Sequence, residues 1–205
     1  NVTSIGQSAF NFHIHQNTNA NDIRTIDLPE GLVSIGPVAF KGSGLTSVSI
    51  PDSVEQISNW AFEEMPNLEY VKLPNNNNFR HLGVFLFEKN KNLKSIDIPD
   101  NIVSIDTAFI DSGVESVKFG NGLQTIGNHA FLRAPVSNID WGESLPESIG
   151  VQAFYGNHLE TVVIPESVKY IGENAFVSDT LVAATVSPDT QIAGTAFSTG
   201  VIINY

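Results

Sequence analysis

The sequence predicts an α/β, β-rich, right-handed solenoid of about nine repeats, in which parallel strands stack coil upon coil and short helical turns lie between them. Three observations carry this expectation. Phenylalanine recurs on a fixed beat, at Phe10, Phe40, Phe62, Phe87, Phe109, Phe131, Phe154, Phe176 and Phe197. A strand-like run precedes most of them, and a small residue sits four places before nearly every one. Self-similarity of this period means units too small to bury their own apolar face, which stack to share one core.

The strand comes first in each unit. Leu45-Thr46-Ser47-Val48-Ser49-Ile50-Pro51 has counterparts beginning at Ile23, Leu68, Leu93, Val114, Val136, Leu159 and Leu181, with a further run near Ile202. Apolar residues hold the first, fourth and sixth places, and the fourth-to-sixth alternation is the period of a strand with one buried face. Pro29, Pro51, Pro74, Pro99 and Pro165 follow directly. Proline cannot donate to a ladder, so it marks where pairing stops. Because every connection then joins parallel strands, the superhelix should be right-handed.

A second short strand or turn is expected around Ser53–Ile57 and its equivalents. There Ile5, Ile35, Ile57, Leu82, Ile126, Ile149, Ile171 and Ile192 are each followed by Gly, Ser or Ala, implying close approach to a neighbouring coil. The unit ends at Ala-Phe, or Leu86-Phe87 in one case, where a helical turn should place the ring inside the stack. Each buried ring would contribute about 1.5–3 kcal/mol.

The pattern L-x-x-V-x-I-P-x-x-V-x-x-I-G-x-x-A-F, clearest from Leu45 to Phe62 and from Leu159 to Phe176, resembles the BspA-like (TpLRR-type) leucine-rich repeats. The resemblance covers essentially the whole chain and implies a single leucine-rich-repeat domain over 1–205. It implies a secreted or cell-surface protein that acts in adhesion, binding a protein ligand such as a host matrix or cell-surface protein. Units of that family often carry Cys three places after the Phe. Here the place holds His13, Ser43, Met65, Asn90, Ser112, Ala134, Asn157, Asp179 and Gly200, and the chain has no Cys at all. Both ends lack an atypical capping unit, so the expectation is a fragment of a longer chain or a mature chain whose open ends meet another molecule.

Composition narrows the function classes. Of 205 residues, 22 are Asp or Glu and 10 are Lys or Arg, a net charge of −12, which disfavours nucleic acid and anionic membranes. No run reaches the roughly 20 apolar residues of a membrane span. No nucleophile elbow, phosphate-binding loop or H-E-x-x-H motif is present, so the expectation is a non-catalytic module without cofactor or metal.

Irregularities in a repeat are where specificity can reside. The eight-residue excess at 11–22 carries His13 and His15 with several Asn, too few ligands for a zinc or EF-hand site. Asn75–Asn78 lengthens a second step to 25 residues, in the unit where Leu86 replaces Ala and Phe85 adds bulk, so that coil should be repacked. On the exposed strand face, Lys72, Asp97, Lys118 and Asp140 alternate in sign. Two readings stand side by side: a self-neutralising charge ladder, and a polar docking surface made by Tyr70, Lys72, Asp97, Lys118 and Asp140 with Tyr70 as its anchor. Trp141 is expected in the core and Trp60 partly exposed on the back. The alternative to a binding module is a spacer that presents another domain of the same chain.

Overall fold

The computed structural model describes residues 2–11 and 23–205. His13 and His15 lie outside the described residues. One ladder is built from three-residue strands, β3 (Ser47–Ser49), β5 (Tyr70–Lys72), β7 (Ser95–Asp97), β9 (Ser116–Lys118), β11 (Asn138–Asp140), β13 (Thr161–Val163), β15 (Ala183–Thr185) and β17 (Ile202–Asn204). The other consists of two-residue strands, β1 (Ser4–Ile5), β2 (Ser34–Ile35), β4 (Gln56–Ile57), β6 (His81–Leu82), β8 (Ser104–Ile105), β10 (Thr125–Ile126), β12 (Ser148–Ile149), β14 (Tyr170–Ile171) and β16 (Gln191–Ile192). All pairings are parallel and in repeat register, for example Asp97 opposite Lys118 and Lys118 opposite Asp140.

The interior is the expected file of rings. All nine phenylalanines stack in chain order, with centroids 5.0–5.5 Å apart and planes within 11° of parallel. The seven between Phe40 and Phe176 are fully buried. A centroid separation above 5 Å for near-parallel rings is the offset stack that aromatic quadrupoles favour.

The helical turns are not formed, and this corrects the expectation: among the described residues there is no helix. Through Ala-Phe the backbone alternates handedness instead. The residue two places before each of the first eight rings has positive φ, at Ser8, Val38, Trp60, Phe85, Thr107, His129, Gln152 and Asn174. Glu64, Lys89, Asp111 and Arg133 repeat this two places after their rings. Alternation turns every second N–H along the stack. Phe40 N donates to Ala61 O at 2.8 Å and Phe131 N to Ala153 O at 2.8 Å, while Lys41 N and Leu132 N close tight turns to Val38 O and His129 O. A helix would spend those same donors within its own coil. Left-handed conformations are costly for β-branched Val38 and Thr107. The inter-coil bonds their neighbours make offset that cost.

The small residues do what close approach requires. A Cβ on Gly172 would lie 2.7 Å from Val151 N, and one on Gly36 2.8 Å from Gln7 N. Gly83 is different, with nothing nearer than Asn59 Oδ1 at 3.8 Å. It follows the asparagine run, and there the two ladders come apart. β5 pairs back to β3 but not forward to β7, whereas β6 pairs forward to β8 but not back to β4. The coil running from Tyr70 to Phe87 thus gives one strand to the block before it and one to the block after.

The third face holds this seam together. Phe62 N still reaches Leu86 O, at 3.2 Å rather than the 2.7–2.9 Å of the equivalent bonds in other coils. Leu86, where other units have Ala, is buried and keeps the coils apart. The extra length is itself ordered. Asn76 Nδ2 donates to Asp52 O and Val54 O, and its Oδ1 accepts from Asn78 N and Phe79 N. The longer ladder also stops between β11 and β13, but there the second ladder runs on through β12 and β14.

Candidate binding surface

Strand alternation turns residues 70 and 72 of β5, 95 and 97 of β7, 118 of β9 and 140 of β11 outward, and all of these are exposed. Tyr70 is the most open aromatic of this strand face, at 59% exposure. Because β5 and β7 are unpaired, a cleft of about 260 Å³ opens between them, lined by Tyr70, Lys72, Leu73, Asn75, Ser95 and Asp97. Three of the five residues expected from the sequence therefore meet in one place. Asp97 also borders a shallower depression with Asp100, Lys118 and Glu143, and Asp140 lies outside both.

The self-neutralising ladder does not form. Lys118 sits in register between Asp97 and Asp140, yet no ion pair joins them among the described residues. Lys72 turns away from Asp97 to Asp52 Oδ1 at 3.4 Å. Asp140 Oδ1 instead accepts the Gly142 N–H at 2.9 Å. Such pairs are worth little in water, so nothing forces long side chains into line. The Asn75 N–H, and after it the Lys72 ammonium, hold the Asp52 carboxyl below the usual carboxylate range.

Asp52, Asn75 and Ser95 are site residues that strand patterning alone does not single out. The signal for Asn75 was the lengthened step. Asp52 and Ser95 occupy ordinary repeat places and become distinctive only through the seam. On the back, Trp60 is partly exposed as expected and stacks on Phe85 at 5.5 Å. Trp141 is only half-buried, packed against the core and stacked on Phe119 at 5.3 Å. Three places after Phe87, Asn90 Nδ2 donates to Phe62 O and Asn90 Oδ1 accepts from Met65 N, each at 2.8 Å, tying adjacent coils through a fully buried side chain. Among the described residues no group of three or more His, Asp or Glu could hold a metal ion, and no helix is long and apolar enough to cross a membrane.

The profile of the BspA type leucine rich repeat region matches six copies, over residues 3–134 and 106–204. The chain belongs to the BspA-type leucine-rich repeat family. Its solenoid is similar to a leucine-rich repeat protein from Bacteroides ovatus ATCC 8483, with a TM-score of 0.66 and 24% identity over 97% of this chain and 45% of that one. It is also similar to a leucine rich cell surface protein from Faecalibacterium prausnitzii A2-165, with a TM-score of 0.59 and 24% identity over 100% of this chain and 57% of that one. At such identity these likenesses speak for the fold, and the chain spans about half the length of the solved proteins it matches. No curated protein matches the chain in sequence.

Proposed function

We propose that this repeat array is a non-catalytic adhesion module of a secreted or cell-surface protein, binding a protein ligand across the exposed face of β5, β7, β9 and β11. The observation that carries this reading is the cleft at Tyr70, Lys72 and Asp97. It is an aromatic-edged recess in a polar face; Lys72 at its wall is paired with Asp52, while Asp97 has no ion-pair partner among the described residues. Tyr is enriched at the centres of protein interfaces, and charges at their rim set which partner is accepted. The family membership and the surface protein among the fold neighbours support the location.

A spacer is the second reading, favoured by the unbroken stack of nine rings, which makes a stiff rod. The two separate experimentally. A triple variant, Lys72→Glu, Asp97→Lys and Lys118→Glu, is compared with the parent for attachment to immobilised host matrix proteins, with circular dichroism to verify folding. A folded triple variant that attaches at least about tenfold less well supports the binding face. Unchanged attachment by a folded variant leaves the spacer.

A further inference from the structure

The seam has consequences for what the face selects. At about 260 Å³ the β5–β7 cleft lies below the roughly 300–1,000 Å³ of small-molecule sites, a volume suited to one side chain of a partner rather than a free ligand. Two lining groups are available to such a side chain. One is the Tyr70 ring, more than half exposed, and the other is the Asp97 carboxylate, which has no partner among the described residues. The third charged group, Lys72, is already committed to Asp52.

Charge around the cleft has one dominant sign. Near it on this face lie Asp52, Asp97, Asp100, Asp140 and Glu143, all exposed. Against these stand Lys72, Lys118 and Lys94, the last paired with Glu115. A cationic partner segment is therefore steered to this face, and a planar cation suits a ring beside a carboxylate better than a compact ammonium does.

We propose that the seam cleft receives an arginine side chain from a basic segment of a protein partner, its guanidinium lying against Tyr70 and pairing with Asp97. The proposal rests on the protein-binding reading above and names the chemistry that reading leaves open. The guanidinium brings donors and charge, Asp97 accepts, and Lys72 stays paired with Asp52.

The test is a titration of isotope-labelled protein with a blocked Gly-Arg-Gly peptide, followed by backbone amide NMR. Shifts should concentrate at 70–73 and 95–97, weaken with salt, and nearly vanish for a peptide with neutral citrulline in place of arginine. Asp97→Asn should weaken binding about fivefold, whereas Asp140→Asn, an equal loss of charge outside the cleft, should leave it within about twofold. Tyr70→Leu should weaken binding by about threefold through loss of the ring face. Equal effects of the two Asp variants, shifts spread evenly over the acidic rim, equal binding of citrulline, or preference for a Gly-Glu-Gly peptide would each overturn it. Localised peptide binding together with unchanged attachment of the triple variant would keep the arginine site and reject adhesion through this face. Lost attachment without localised peptide binding would do the opposite.

Discussion

The coils from β8 onward and the coil between Tyr70 and Phe87 are built from the same repeat and behave differently. In the first region the short ladder runs unbroken through β8, β10, β12, β14 and β16, and glycine backbones touch. In the second, three inserted residues and one Leu for Ala open both ladders while the ring stack passes through at 5.5 Å on either side. The lesson is that the three faces of the solenoid are not equally strict. The two ladders need a spacing near 4.8 Å to bond at all. Stacked rings tolerate a few tenths of an ångström more, because dispersion falls off gradually while directional hydrogen bonds weaken sharply. Function, on our reading, resides where the strict faces gave way.

The largest effect expected from this contrast is in the ring stack. Phe131 is clamped between Phe109 and Phe154 at 5.0 and 5.2 Å, with Phe119 edge-on at 6.1 Å. Phe131→Ala should cost about 3–5 kcal/mol in urea unfolding, and Phe87→Ala should fall at the lower end of that range because loosened coils collapse more readily onto a cavity. A larger loss at Phe87 would show that the seam is as tightly packed as the rest.

The glycines sharpen the same comparison at a smaller scale. Gly172→Ala drives a Cβ to 2.7 Å from backbone and should cost about 1–3 kcal/mol. Gly83→Ala, with its nearest atom at 3.8 Å, should stay within about 0.5 kcal/mol. Equal melting temperatures for the two variants would mean the coils close up in solution.

The smallest expected effect is in acid. Asp111 accepts from Arg133 Nε and Arg133 Nη2 at 2.7 and 2.6 Å, and these bonds hold its carboxyl below the usual range. A carboxyl lowered in the folded state contributes stability above its unfolded value near pH 4, and that contribution is lost as pH falls through the lower folded value. Asp52 at the seam behaves in the same sense, through Asn75 N first and Lys72 after it. Melting between about pH 5 and 2 should therefore show a flatter acid limb in Asp111→Asn than in the parent, by less than about 1 kcal/mol since the pair is part-exposed. An unchanged limb would remove the pair from the ledger of acid sensitivity.

Much of this was legible in residue order. Apolar spacing from Leu45 to Ile50 and its copies placed every three-residue strand from β3 to β17, although the copy beginning at Ile23 forms no strand, and the Phe beat placed the core. Repeat length also exposed the asparagine run as an irregularity. Harder to read was the left-handed column, since Ser8, Val38, Trp60, Phe85, Thr107, His129, Gln152 and Asn174 share no chemistry and only two of the eight are of a type that commonly adopts positive φ. Helical turns were the natural reading of Ala-Phe for that reason. Lys72 was equally opaque: its register neighbour is fixed by the strand, but its ion-pair partner Asp52 lies in the turn between β3 and β4.

The order of residues alone therefore settled that the Phe column and the periodic apolar residues of the strands share one interior, because units this small cannot bury that surface singly. Tertiary contact decided the backbone handedness at Ala-Phe, the bonds of Asp52 and Asn76, and the cleft at Tyr70 and Asp97. Those depend on where each N–H finds an acceptor one coil away, a choice set by the spacing between coils and not by any residue's own preference.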